Sequence, residues 1–86
     1  MQVIKALGNE LTLSATPNTV SLGKCIRIHN ANTTTKHVIT VANAAGNIAS
    51  FSVGALDTVS LAKNSTDTIR VDTGSDVFAV SISFAN

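Results

Sequence analysis

The chain has 86 residues, enough for one domain and too few for two. Only 13% of them are charged, the formal charge is +1, and Trp and Tyr are absent. Little is therefore available to neutralise phosphates or stack on bases, and nucleic acid is not an expected partner. Every apolar run is broken within a few residues, far short of the ~20 that a spanning helix needs, so no membrane partner is expected either.

The chain opens with Val3–Leu7, a short alternating segment that lacks the basic start and sustained apolar core of a secretory signal. Synthesis and folding in a cytoplasm are expected. After Gly8-Asn9, Leu11–Ala15 forms a second short run, closed by Pro17-Asn18. Val20, Leu22, Ile26 and Ile28 then share one parity, interrupted by Lys24, and predict a single strand with one buried face. The polar stretch Asn30–Lys36 follows and reads as a hairpin tip. Val38–Ala42, Ile48–Val53, Asp57–Ala62 and Thr68–Val71 continue the pattern. Their separators are Asn43–Asn47, Gly54-Ala55, Asn64-Ser65 and Thr73-Gly74-Ser75; Ala42-Asn43-Ala44-Ala45 allows one helical turn at most. At the end, Phe78, Val80, Ile82 and Phe84 occupy one face, expected to be buried, and Ala79, Ser81 and Ser83 the other.

Val, Ile and Thr suit a pleated surface better than a helix. Short strands with turns every 8–12 residues predict an all-β fold. The expectation is one domain over residues 1–86: a small antiparallel β-sandwich or barrel, jelly-roll or immunoglobulin-like, of about eight short strands. Cys25 is the only cysteine, so no intrachain disulfide can supplement a small core, and assembly into a homo-oligomer is the favoured source of extra stability.

Few residues suggest chemistry. Val71-Asp72-Thr73-Gly74-Ser75 resembles the signature of aspartic proteases, and a retroviral-type enzyme would need two such carboxylates from two subunits. Only eleven residues follow Ser75, leaving no flap and no bracing Gly element, so a tight turn is the preferred reading. His29 and His37 flank the polar loop. With Cys25 they make a conceivable zinc cluster, but Cys25 and His29 stand about 13 Å apart along a strand and Arg27 lies between them. Two partly exposed histidines are the simpler expectation. Cys25 lacks a base within reach and reads as a packed thiol. No Ser sits in a nucleophile elbow. The acids Glu10, Asp57, Asp67, Asp72 and Asp76 are dispersed. Asp72 and Asp76 bracket one turn, with fewer oxygens than calcium loops offer. No catalytic, cofactor-binding or metal-binding residues are expected, and the chain reads as a non-enzyme.

Three stretches carry a resemblance. They are Val3-Ile4-Lys5-Ala6-Leu7-Gly8 with Leu11-Thr12-Leu13 and Val20-Ser21, then Ile26-Arg27-Ile28-His29-Asn30-Ala31, and last Leu61-Ala62-Lys63-Asn64-Ser65-Thr66-Asp67-Thr68-Ile69. In this order they are similar to small virion structural proteins of tailed bacteriophages, especially cyanophages. The closing Ser81-Ile82-Ser83-Phe84-Ala85-Asn86 departs from the basic-aromatic tail of that group. The resemblance implies a capsid decoration or cement protein located in the virion, with the major capsid protein or another virion protein as partner. A carbohydrate-binding or adhesin-like module is the alternative, disfavoured because only Phe51, Phe78 and Phe84 offer aromatic rings.

Overall fold

Apolar and polar residues alternate in Cys25-Ile26-Arg27-Ile28-His29-Asn30, and in the computed structural model this segment is a strand with Ile26 and Ile28 wholly buried. The structure describes residues 3–73 and 76–85. Its strands are β1 (Val3–Ala6), β2 (Leu11–Thr12), β3 (Cys25–Asn30), β4 (His37–Asn43), β5 (Gly46–Val53), β6 (Thr58–Ala62), β7 (Thr68–Val71) and β8 (Val77–Ala85), and no helix occurs among the described residues. The expected all-β class is thus the observed one.

The strands form two antiparallel sheets. One has the order β1-β8-β3-β6, with β2 also on β8, and the other the order β5-β4-β7. β1 and β2 lie end to end along one edge of β8, Ala6 opposite Ile82 and Leu11 opposite Ala79. Ile26, Ile28, Val77 and Ala79 of the larger sheet pack against Ile39, Val41, Val53, Ile69 and Val71 of the smaller one. Leu13 and Val20 close the core from the segment between β2 and β3. Complete burial of an Ile or Val side chain contributes about 1.5–3 kcal/mol, and this layer is the main source of stability. It makes the molecule a two-layer sandwich.

β4 and β5 form a hairpin around Ala44-Ala45, with Asn43 opposite Gly46. Gly46 has φ +128°, and Asn43 Oδ1 accepts from Ala45 N–H. A hairpin tip therefore stands where a helical turn was conceivable. The connections β3–β4, β5–β6, β6–β7 and β7–β8 all pass from one sheet to the other. Asn30–Lys36 is thus a crossover, correcting the hairpin expectation. The chain after β2 also changes sheets: Leu13 N–H bonds to Val77 O, whereas Asn18 and Ile69 exchange two backbone hydrogen bonds.

Two further expectations are corrected. Val20 and Leu22 do not extend β3. Val20, Ser21 and Leu22 have φ of 54°, 57° and 57°, forming a left-handed turn in which Gly23 N–H donates to Val20 O. Asn18 Oδ1 and Thr19 Oγ1 accept from Val20 and Leu22 N–H and fix the bend. Such a conformation costs non-glycine residues roughly 1–2 kcal/mol each, offset here by placing Val20 in the core. Of the β8 face expected to be buried, Val80 and Ile82 are buried, whereas Phe78 is half-buried and Phe84 exposed; Val77, Ala79 and Ser81 face the core between the sheets. The reason is close approach: a Cβ on Gly23 would lie 2.5 Å from Ser81 Oγ and 2.6 Å from Ile26 Cδ1. Only small side chains fit under the left-handed turn.

Gly23→Ala is expected to destabilise by about 1–3 kcal/mol through overpacking. Ser21→Asn, which tolerates a left-handed φ at an exposed position, is expected to leave stability unchanged or raise it by up to about 1 kcal/mol. Urea unfolding monitored by circular dichroism measures both, and equal midpoints for Gly23→Ala and wild type would contradict this packing.

Candidate functional site

Asn30 ends β3 with a wholly buried amide. Its Nδ2 donates to Thr35 O at 2.9 Å and Val53 O at 3.1 Å, and its Oδ1 accepts from Asn32 N–H. Asn32 repeats the device: Oδ1 accepts from the N–H groups of Thr34 and Thr35, and Nδ2 donates to Asp76 Oδ2 at 2.7 Å. Asn side chains bonding two or three residues ahead are turn formers. Here they fold the 30–36 crossover so that it delivers His37 into the space between two acids.

His37 is only 4% exposed, which corrects the expectation of two partly exposed histidines. Nδ1 lies 2.9 Å from Asp72 Oδ1, and Nε2 lies 2.9 Å from Asp76 Oδ1. The first contact is a hydrogen bond. The second has the separation of an ion pair but runs off the N–H direction, leaving both atoms without a well-aligned partner. The imidazole thus faces a carboxylate oxygen from each of its ring nitrogens, with one aligned hydrogen bond, at Nδ1. Asp72 Oδ1 also accepts from Thr73 N–H at 2.8 Å. Burial pushes the Asp72 carboxyl up, but the hydrogen bonds from His37 and Thr73 outweigh it and hold it below its ordinary value. The Asn32 amide, against partial burial and with help from His37, holds Asp76 below its ordinary value too.

The cluster clamps the end of β7, the approach to β8 and the start of β4. The two acids stand on opposite sides of the imidazole, so their oxygens do not converge on one point as calcium ligation requires. No grouping of three His, Cys, Asp or Glu side chains among the described residues is arranged to hold a metal ion. In the aspartic-protease-like motif, Asp72 is engaged by His37, and Gly74 and Ser75 lie outside the described residues. The expected turn at Thr73-Gly74-Ser75 falls largely outside the described residues, and no spacing signal in the sequence places His37 between Asp72 and Asp76.

The other candidates separate. Cys25, Arg27 and His29 share the outer face of β3, as their parity predicts. His29 Nδ1 lies 2.8 Å from Thr58 Oγ1 on β6, remote in pairing from His37 on the other sheet. Arg27 bridges to Glu10 at 3.3 Å, a surface pair that contributes at most about 1 kcal/mol.

The second candidate is an apolar end of the sandwich. β3 stops pairing with β8 at Ile26–Ser81, so the last part of β8 carries only β1 beside it. This two-stranded ribbon and the adjoining turn expose Val3, Ile4, Leu7, Leu22 and Phe84. Between the left-handed turn and β8 runs an open groove of about 510 Å³ lined by Leu7, Leu22, Gly23, Cys25, Ile82 and Phe84, with Lys24 also at its wall. Comparison with known families, curated proteins and solved structures finds no match to this chain.

Because the carboxyl groups of Asp72 and Asp76 are lowered in the fold, they stabilise it above the unfolded-chain value of about 3.9 and cease to do so as pH falls through their folded values. Thermal melts from about pH 6 to about pH 3 should show a loss of stability, and Asp72→Asn/Asp76→Asn should flatten the lower part of that curve. Parallel curves for the variant and wild type would refute the clamp.

Proposed function

We propose that this chain is a non-enzymatic virion structural protein, a capsid decoration or cement protein that binds the outer capsid surface as part of an oligomer. The observation that carries the reading is the apolar end formed by β1, the last part of β8 and the left-handed turn. Large apolar side chains gathered at one end of a small domain mark an interaction surface. Unpaired strand edges beside them offer backbone hydrogen bonds to a partner.

Three features support the assignment. The surface is rich in Ser, Thr and Asn and poor in charge, so it loses little on drying against a shell. The two-layer sandwich is flat, with extents of 34 × 34 × 19 Å. The segments similar to small phage virion proteins cover β1, β3 and the stretch from β6 into β7. The partner in this reading is the major capsid protein or another virion protein. A weak single site suffices, since many copies on one particle gain by avidity.

Quantitative mass spectrometry of purified particles from the virus that encodes the chain tests this. Many copies per particle are expected, released together under conditions that leave the shell intact. Absence of the chain from particles would end the proposal. Ile4→Lys, which places a charge on the exposed ribbon, is expected to lower occupancy on the particle by about tenfold or more, about 1.4 kcal/mol per site, without unfolding the domain.

A further inference from the structure

The ribbon's backbone is the starting point. Leu7 N–H donates to Ser81 O, so the odd-numbered residues of this part of β8 turn their backbone groups toward β1. Strand alternation then sends those of Ile82 and Phe84 to the opposite side. There the β3 ladder has ended at Ile26–Ser81, and no strand pairs with Phe84 on that side among the described residues. Phe84 presents one N–H donor and one C=O acceptor along the floor of the groove.

The wall of the groove is Leu22. It is 59% exposed and held at φ +57°, where Asn or Gly would be more comfortable. More than half of the Leu22 side chain lies outside the core of the isolated domain. It does supply apolar surface facing the ribbon, where Phe84 is 45% exposed. Strain of this kind persists where a surface is used.

We infer that the occupant of this groove is the same ribbon of a second copy of the chain. The free groups are self-complementary. Two β8 strands run antiparallel across a two-fold axis at Phe84, and each Phe84 N–H donates to the other Phe84 C=O. Antiparallel overlap at the ends of β8 carries the two sandwiches away from each other. Val3, Ile4, Leu7, Leu22 and Phe84 together expose on the order of 400 Å², about half of the ~800 Å² per partner in a standard interface. The neighbouring backbone and small side chains are available to make up the rest. An isologous contact closes after two copies. This inference rests on reading the apolar end as an assembly surface but does not require a capsid.

Sedimentation velocity from ~1 µM to ~1 mM, with alkylation of Cys25 as a second reading, tests it. Cys25 lines the groove and is the only thiol. Wild type is expected to form a dimer and to lose Cys25 reactivity as concentration rises. Leu22→Asn, which suits the left-handed turn, should weaken dimerisation at least tenfold, about 1.4 kcal/mol, and restore reactivity. Ile48→Asn, on the remote β5 edge, should change neither. A wild-type monomer throughout, Cys25 reactivity independent of concentration, or a dimer weakened by Ile48→Asn and not by Leu22→Asn would overturn the proposal. A chain that dimerises yet is absent from particles would sink the virion reading and leave this one standing.

Discussion

The inner faces of the two sheets must meet over side chains small enough to let them close, and β8 is where that requirement is tightest. Among the described residues it is the only strand that pairs with three others, receiving β1 and β2 on one edge and β3 on the other. Its core face passes from Val77 to the small residues Ala79 and Ser81, and Ser81 lies under Gly23. The left-handed turn can cross the end of the core only because of that taper. Val20 thereby reaches the interior, and Leu22 is thrown outward. The placement of one small residue thus fixes both the closure of the core and the shape of the apolar end.

A second constraint is polar. Four connections between described strands change sheets and the β2–β3 segment visits the other sheet, so backbone groups leave one ladder before they join the other, and buried ones must find partners on the way. The 30–36 crossover meets this with Asn30 and Asn32, whose side chains stand in for missing strand partners. His37, Asp72 and Asp76 then tie the crossover to the return from β7 to β8. The 63–67 crossover is built similarly: Asn64 N–H donates to buried Asp67, and Lys63 Nζ donates to the Asn64 and Ser65 carbonyls. Burial lowers the Lys63 pKa, partly countered by Asp67.

Period-two alternation in Cys25–Asn30, His37–Asn43, Thr68–Val71 and Val77–Ala85 is strong enough to read the strands from sequence. What alternation omits is the partner. A polar stretch such as Asn30–Lys36 looks the same whether the chain reverses within a sheet or crosses to another. Parity also misleads in β8, where size suggests that the Phe78–Phe84 face is buried. The outer face still buries Val80 and Ile82, while the face between the sheets carries Val77, Ala79 and Ser81. Val20 and Leu22 carry no sign of a left-handed turn, because glycine and asparagine, which would announce one, are not used there. The histidine clamp depends on contacts 35 and 39 positions apart, which no local pattern encodes.

The edges of the two sheets are finished differently. On β5 the register slips between Val41 and Ala42, leaving Ile48 as an extra residue that points outward. A bulge there twists the strand and spoils it as a template for a neighbour. The β1–β8 pairing on the other sheet keeps an uninterrupted register beside the groove. One strand edge is therefore open to a partner and another is blunted, and endless edge-to-edge growth is discouraged by the irregularity that interrupts the β4–β5 hairpin.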